Sequence, residues 1–101
     1  ECPFLDKGTW WYMQGHIFQS PFYYIDYTLA QVCAQQFFIR MDKKDPAYWE
    51  DYKHLLKLGG TKSFTELVRA VNLTVPFEEG CIEKIMTYLE GVLDKVDDEA
   101  L

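Results

Sequence analysis

Residues 15–30 read GHIFQSPFYYIDYTLA, and this stretch decides the fold. It holds one of the two histidines and three of the seven tyrosines of the chain. Its second half opens the most apolar segment, so that groups able to donate or accept protons stand beside residues that favour burial. Such a combination is typical of a functional site. We interpret the rest of the chain as a scaffold that positions this stretch.

A long apolar central helix is predicted over residues 21–42. Ser20 is a favoured N-cap, and Pro21 is favoured at the first position of a helix. From Phe22 onward, apolar side chains point in almost every direction around a helix. A helix that is apolar nearly all round packs against neighbours on several sides.

Further helix signals make the predicted fold class all-α, with about five helices around the central one. Asp45 with Pro46, and Ser63 with Glu66, are helix starts, and Gly59 is a stop. No strand pattern is longer than a few residues. These signals place the other helices at about residues 9–14, 46–58, 63–72 and 78–96, with a loose tail at 97–101.

The charge pattern excludes some partners. Residues 1–77 hold eight acids and eight bases, so residues 78–101 carry the whole net charge of −6. No basic stripe is present to neutralise phosphates, which argues against nucleic acid. No apolar run reaches the roughly 18 residues that span a membrane, so no membrane partner is predicted.

The three cysteines argue against a disulfide framework. Cys2, Cys33 and Cys81 are odd in number and far apart, and no CxxC occurs. A reducing compartment is the default for such a pattern, and we predict a cytoplasmic location. The chain has no initiator Met, which we interpret as processing or as excision from something longer.

Three side chains are candidates for the site: His16, Tyr24 and Tyr27. The two tyrosines are three residues apart and share a helix face near its start. His16 is predicted in the loop that leads into the helix. Three hydrogen-bond donors at that point could stabilise negative charge that develops on an oxygen atom during a reaction. The alternative, in which the tyrosines only pack in a core, remains open at this point.

Other chemistry has weaker support. The chain contains no HExxH, no phosphate-binding glycine loop and no GxSxG. His54 has no obvious zinc-ligand partner and is predicted to lie on a helix surface. A nucleophilic pair of Cys33 with His16 is formally possible, but a thiol in an apolar helix is usually inert packing.

The run from Gly15 to Gln31 resembles the C-terminal signature of oligoendopeptidase F, bacterial zinc metallopeptidases related to thimet oligopeptidase. The resemblance covers essentially the whole chain. Its flanking matches are Pro3-Phe4-Leu5, Gly8, Trp11, Leu58-Gly59-Gly60 and Pro76-Phe77-Glu78-Glu79-Gly80.

The resemblance implies a metalloendopeptidase that hydrolyses oligopeptides with a zinc-bound water. In that family, an HExxH helix and a further Glu hold the zinc, and this chain lacks both. The resemblance assigns oxyanion stabilisation to Tyr27 and substrate binding to Tyr24 and His16. Residues 1–101 are then a single helical segment, the C-terminal part of a larger catalytic domain. This segment is expected to bind no metal and to be inactive alone.

The expected partners are the oligopeptide substrate of the full enzyme and the remainder of the catalytic domain. Self-association of the isolated chain is also predicted, because the surface of residues 22–41 would be uncovered. The alternative function is a stand-alone helical interaction module that holds a partner helix near residues 23–38. An in-frame HExxH upstream would support the peptidase, and a start codon just before Glu1 would support the module.

Overall fold

The computed structural model describes residues 2–97. Within this range the regular structure is entirely helical, which confirms the all-α prediction. None of the helices between residues 2 and 97 is long and apolar enough to span a membrane. The elements are α1 (Pro3–Asp6), a 3₁₀ helix (Trp10–Met13), α2 (Gly15–Gln19), α3 (Tyr24–Asp42), α4 (Tyr48–Leu58), α5 (Phe64–Ala70) and α6 (Cys81–Leu93).

The long helix α3 begins at Tyr24, three residues later than predicted. Ser20 to Tyr23 form a tight turn instead, in which the Tyr23 N–H donates to the Ser20 carbonyl at 3.0 Å. Phe22 has a φ of +68°, which is incompatible with a right-handed helix. A proline followed by a residue with positive φ is the pattern of a type II turn. Ser20 and Pro21 suit that turn as well as a helix start, and here they form the turn.

The chain divides into two compact units, residues 1–30 and residues 31–101. No side chain between residues 2 and 30 is buried. Aromatic contacts dominate this first unit: the ring of Tyr12 lies 6.3 Å from both Phe4 and Phe18, and Trp11 lies 5.8 Å from Phe18. The predicted helix at 9–14 is a single 3₁₀ turn.

The second unit has two buried apolar clusters, and α3 contributes to both. The first combines Val68, Val71, Leu73 and Val75 with the partly buried Cys33, Phe37 and Leu55. The second combines Val32, Cys81 and Ile85 with the partly buried Ile39 and Leu89. Full burial of a valine, leucine or isoleucine side chain, as in these clusters, stabilises the folded state by roughly 1.5–3 kcal/mol.

Most of α3 is nevertheless uncovered within the described residues. Val32 is its buried side chain, whereas Ile25, Phe38 and Met41 are exposed. Helix α3 therefore carries more apolar side chains than are buried within residues 2–97.

Local signals in the sequence locate α4 and α5 well. Asp45 Oδ1 accepts a hydrogen bond from the Ala47 N–H at 2.9 Å, just before α4. Gly59 ends α4 with a φ of +50°. At the start of α5, the Ser63 N–H donates to Glu66 Oε2 at 3.0 Å, which confirms the capping pair.

The last helix, α6, is shorter than the predicted 78–96. Gly80 has a φ of +79° and precedes its first residue. Cys81 and Ile85 are buried on its inner face, whereas Ile82 is exposed. Residues 98–101 lie outside the described range, so most of the predicted loose tail is not described. The single segment over 1–101 stays a prediction.

Candidate functional site

Four rings converge within the first unit: His16, Tyr23, Tyr24 and Tyr27, which we call the His–Tyr cluster. The His16 ring lies 4.9 Å from Tyr24, 5.5 Å from Tyr27 and 6.4 Å from Tyr23, measured between ring centroids. Tyr27 lies 5.5 Å from Tyr23 and 6.2 Å from Tyr24. The three residues predicted from the sequence are therefore neighbours.

The backbone explains this convergence. His16 lies on α2, Tyr24 is the first residue of α3, and Tyr27 follows one turn later. The tight turn around Phe22 joins the two helices. One expectation was wrong here: His16 is in a helix and not in a loop, because Gly15 is the first residue of α2. The sequence suggested a loop because Gly15 directly follows the helix predicted at residues 9–14, and glycine is common at helix ends.

His16 brings an unpaired polar atom to the cluster. Its Nδ1 is buried and has no hydrogen-bond partner among the described residues. A buried polar group left unpaired costs about 1–3 kcal/mol. The nitrogen is therefore suited to a partner that this part of the chain does not provide, such as a bound ligand or another segment.

The Tyr27 hydroxyl is held in its protonated form. A hydrogen bond with the Tyr23 side chain raises the pKa of Tyr27, and the charge of Tyr23, partial burial and the charge of Asp26 act in the same direction. A protonated phenol can donate a hydrogen bond. Tyr27 and Tyr24 are 53% and 45% exposed, so both rings are accessible in this chain.

Tyr23 is the member of the cluster that sequence reasoning missed. The prediction rested on the spacing of three between Tyr24 and Tyr27. Tyr23 and Tyr27 are four residues apart, a spacing that also brings side chains together on a helix. That spacing was the available signal, but Tyr23 precedes the first residue of α3, and only the turn shows where it lies.

The residues present do not fit a zinc site. Between residues 2 and 97, no group of three or more His, Cys, Asp or Glu side chains could hold a metal ion. His16 is surrounded by tyrosine rings, and His54 is exposed on α4, as predicted.

Two thiols of the second unit have the properties of packing groups. Burial raises the pKa of Cys33, and the neighbouring Cys81 adds to the effect. Burial is also the main cause of the raised pKa of Cys81. A raised pKa lowers the thiolate fraction and with it the nucleophilic reactivity.

A groove is also present in the second unit. It has a volume of about 750 Å³, is open to solvent and runs along α6, where Lys43, Lys84 and Lys95 line it. No residue of the His–Tyr cluster lines this groove.

Comparison with known proteins gives a consistent match. The sequence profile of Peptidase family M3 matches residues 5–87, which include the whole His–Tyr cluster. An X-ray structure at 3.1 Å described as an oligoendopeptidase F is 48% identical, with a TM-score of 0.89, and the match covers 100% of this chain and 18% of that chain. A search of curated proteins gave no match.

Two further solved structures agree. PZ peptidase A with an inhibitor is 49% identical, with a TM-score of 0.85, over 94% of this chain and 17% of that chain. A structure from Bacillus anthracis str. Ames, described as an oligoendopeptidase F, is 46% identical, with a TM-score of 0.77, over 100% of this chain and 19% of that chain. The chain thus spans about a fifth of the length of the structures that it matches.

Proposed function

Because the chain belongs to Peptidase family M3, we propose that it supplies the substrate-binding and oxyanion-stabilising groups of a zinc metalloendopeptidase that hydrolyses oligopeptides. The observation that carries this proposal is the position of His16, 4.9 Å from Tyr24 and 5.5 Å from Tyr27. Three groups able to donate hydrogen bonds are thereby gathered at the start of one helix.

Tyr27 is the proposed donor to the oxyanion. Hydrolysis of a peptide bond passes through a tetrahedral species whose oxygen carries negative charge, and a donor aimed at that oxygen lowers the barrier. The raised pKa keeps the Tyr27 proton in place across the neutral range. Unlike a carboxylate, the neutral phenol adds no negative charge next to the oxyanion.

Tyr24 and His16 are proposed to bind the substrate. The rings lie next to Tyr27, so groups that they hold would be close to the reacting carbonyl. The buried Nδ1 of His16 lacks a partner among the described residues, and a peptide N–H or C=O is a suitable one, depending on the protonation of the ring. Orientation of a bound peptide in this way lowers the entropic part of the barrier.

No residue of this chain is proposed as a zinc ligand or general base. The described residues do not fit a metal site, so the zinc of the parent enzyme would be held by polypeptide outside them. We therefore propose that the remainder of the catalytic domain is a partner of this chain and that the chain alone is inactive. The cytoplasmic location stays a prediction.

The Tyr27→Phe variant of the full-length enzyme tests the proposal. The loss of one oxyanion donor should lower kcat about 10²–10³-fold. The zinc content, measured by mass spectrometry of the metal, should stay constant, because Tyr27 is not proposed to bind it.

Tyr12→Phe is the matched control. Tyr12 belongs to the same unit and is similarly exposed, but its ring contacts Phe4, Trp11 and Phe18 and not the His–Tyr cluster. This variant should keep the parental kcat. If Tyr27→Phe also turns over at the parental rate, Tyr27 has no oxyanion role.

The alternative of a stand-alone interaction module has no specific observation in its favour. The match to a peptidase family over residues 5–87 supports the peptidase. The reading frame upstream of Glu1 separates the two: an in-frame HExxH with a downstream Glu supports the peptidase, and a start codon there supports the module.

A further inference from the structure

Tyr23 contacts two of the three proposed site residues, although nothing in the proposed function uses it. Its ring meets Tyr27 edge-on, at 5.5 Å and an interplanar angle of 83°. It also stacks on His16 at 6.4 Å and 28°. Edge-to-face contacts are a preferred arrangement of aromatic pairs, so this geometry restrains the Tyr27 ring.

The backbone on both sides of Tyr23 is also defined. The Tyr23 N–H donates to the Ser20 carbonyl at 3.0 Å, and its own carbonyl accepts the Asp26 N–H at 3.0 Å. The preceding residue, Phe22, has a φ of +68°, which is rare and strained for a bulky side chain. Such strain persists only where the surroundings determine the conformation, and it is frequent near functional sites.

We propose that Tyr23 is a positioning residue, which holds the Tyr27 side chain in the orientation from which its hydroxyl can donate to the substrate. This inference rests on the proposed function of Tyr27. Tyr23 acts through Tyr27 and makes no contact with the reacting atoms.

The electrostatics of the cluster agree with this role. The hydrogen bond with Tyr23 is the largest cause of the raised pKa of Tyr27. The other titratable groups that face Tyr27 are His16 on α2 and Tyr24 and Asp26 on α3. Removal of the Tyr23 hydroxyl therefore lowers the pKa of Tyr27 towards its ordinary value, so that Tyr27 loses its proton at a lower pH.

A double-mutant cycle in the full-length enzyme tests the inference, with Tyr23→Phe, Tyr27→Phe and the variant that combines both. Tyr23→Phe keeps the ring and removes the hydroxyl that raises the pKa of Tyr27, so kcat should fall about 2- to 10-fold with KM nearly unchanged. The alkaline limb of the pH profile of kcat should move to lower pH. In the Tyr27→Phe background, Tyr23→Phe should cause no further loss. Tyr12→Phe serves again as the control.

The outcomes separate the inference from the proposed function. If Tyr27→Phe lowers kcat but Tyr23→Phe does not, or if the two losses multiply, the positioning role is wrong and the oxyanion role stands. If Tyr27→Phe has no effect, both are wrong.

A measurement without catalysis covers the case in which a variant is poorly active for other reasons. Tyrosine labelled with ¹³C at Cζ reports the titration of Tyr27 by NMR in the full-length protein. A pKa of Tyr27 that is unchanged by Tyr23→Phe overturns the inference.

Discussion

Arg40, near the carboxyl end of α3, joins three parts of the second unit through one guanidinium group. Its Nε and Nη2 lie 2.6 Å from the carboxylates of Asp45 and Asp51, and its Nη1 donates to the Val71 carbonyl at 3.0 Å. The three partners precede α4, lie on α4 and follow α5. A single side chain thus ties consecutive helices together, and hydrogen bonds to charged groups are the stronger ones.

The pKa values of both carboxyl groups are lowered in this arrangement. The Ala47 N–H and then Arg40 lower the pKa of Asp45. Arg40 and then Asn72 lower the pKa of Asp51. Because the folded state lowers these pKa values, the stabilisation is present above the ordinary carboxylate pKa of about 4 and is lost as the pH falls through the folded values.

We predict that Arg40→Ala lowers the free energy of unfolding by about 1.5–3 kcal/mol near neutral pH. The difference from the parent should shrink at acidic pH, as the pH falls through the lowered pKa values of Asp45 and Asp51 and both carboxylates become protonated. Urea titrations followed by circular dichroism at the two pH values measure both effects.

Arg69→Ala is the control for this variant. The Arg69 guanidinium is exposed and lies 3.6 Å from the Glu78 carboxylate, so its loss should cost no more than about 1 kcal/mol. Equal losses for the two arginines would contradict the assigned role of Arg40.

The sequence predicts a helix end correctly where the local residues favour only one backbone structure. Ser63 with Glu66 caps α5, Asp45 accepts a hydrogen bond from the Ala47 N–H just before α4, and Gly59 ends α4. Pro21, by contrast, suits a helix start and a tight turn equally well. The choice between them depends on contacts of the whole segment, which explains why the start of α3 was misplaced.

Substitution of two glycines measures how backbone conformation affects stability at α4 and α6, without new side-chain contacts. A Cβ added to Gly59 or Gly91 would meet no atom within 4 Å. Gly59 has a φ of +50° and a ψ of −131°, whereas Gly91 lies inside α6. We predict that Gly59→Ala lowers the free energy of unfolding by about 1–3 kcal/mol. Gly91→Ala should raise it by about 0.5–1 kcal/mol.

Thermal and urea denaturation of the two variants provide the test. Because each change adds the same methyl group to open space, opposite signs can arise only from the backbone. Two variants that shift stability in the same direction would count against the conformations described for these residues.

The surface of the whole chain exposes many apolar and aromatic side chains. They occur in both units and include Trp10, Phe22, Ile25, Leu56 and Phe77. Patches of this kind usually mark surfaces that contact other polypeptide. The chain spans about a fifth of the structures that it matches, so the remainder of the catalytic domain is the proposed cover.

We predict that the isolated chain self-associates through the uncovered surface of α3. Static light scattering at high concentration should give a mass about twice that of the chain, as expected for a symmetric dimer. Ile25→Lys, on α3, should reduce association, whereas Leu56→Lys, on α4, should leave it unchanged. A strictly monomeric parent chain would count against the prediction.

Three features follow from the sequence alone: most of the helices, several of their caps, and the choice of His16, Tyr24 and Tyr27 as candidates. These features depend on neighbours along the chain, where the spacing of residues sets the geometry. The roles of the three side chains stay predictions.

Only the tertiary structure decided that the chain turns at Phe22, that His16 lies on a helix, and that Tyr23 joins the cluster. It also decided that Ile85 is buried and Ile82 is not. These features depend on how separate segments pack against one another. Several arrangements suit the same local pattern, and the contacts between segments choose among them.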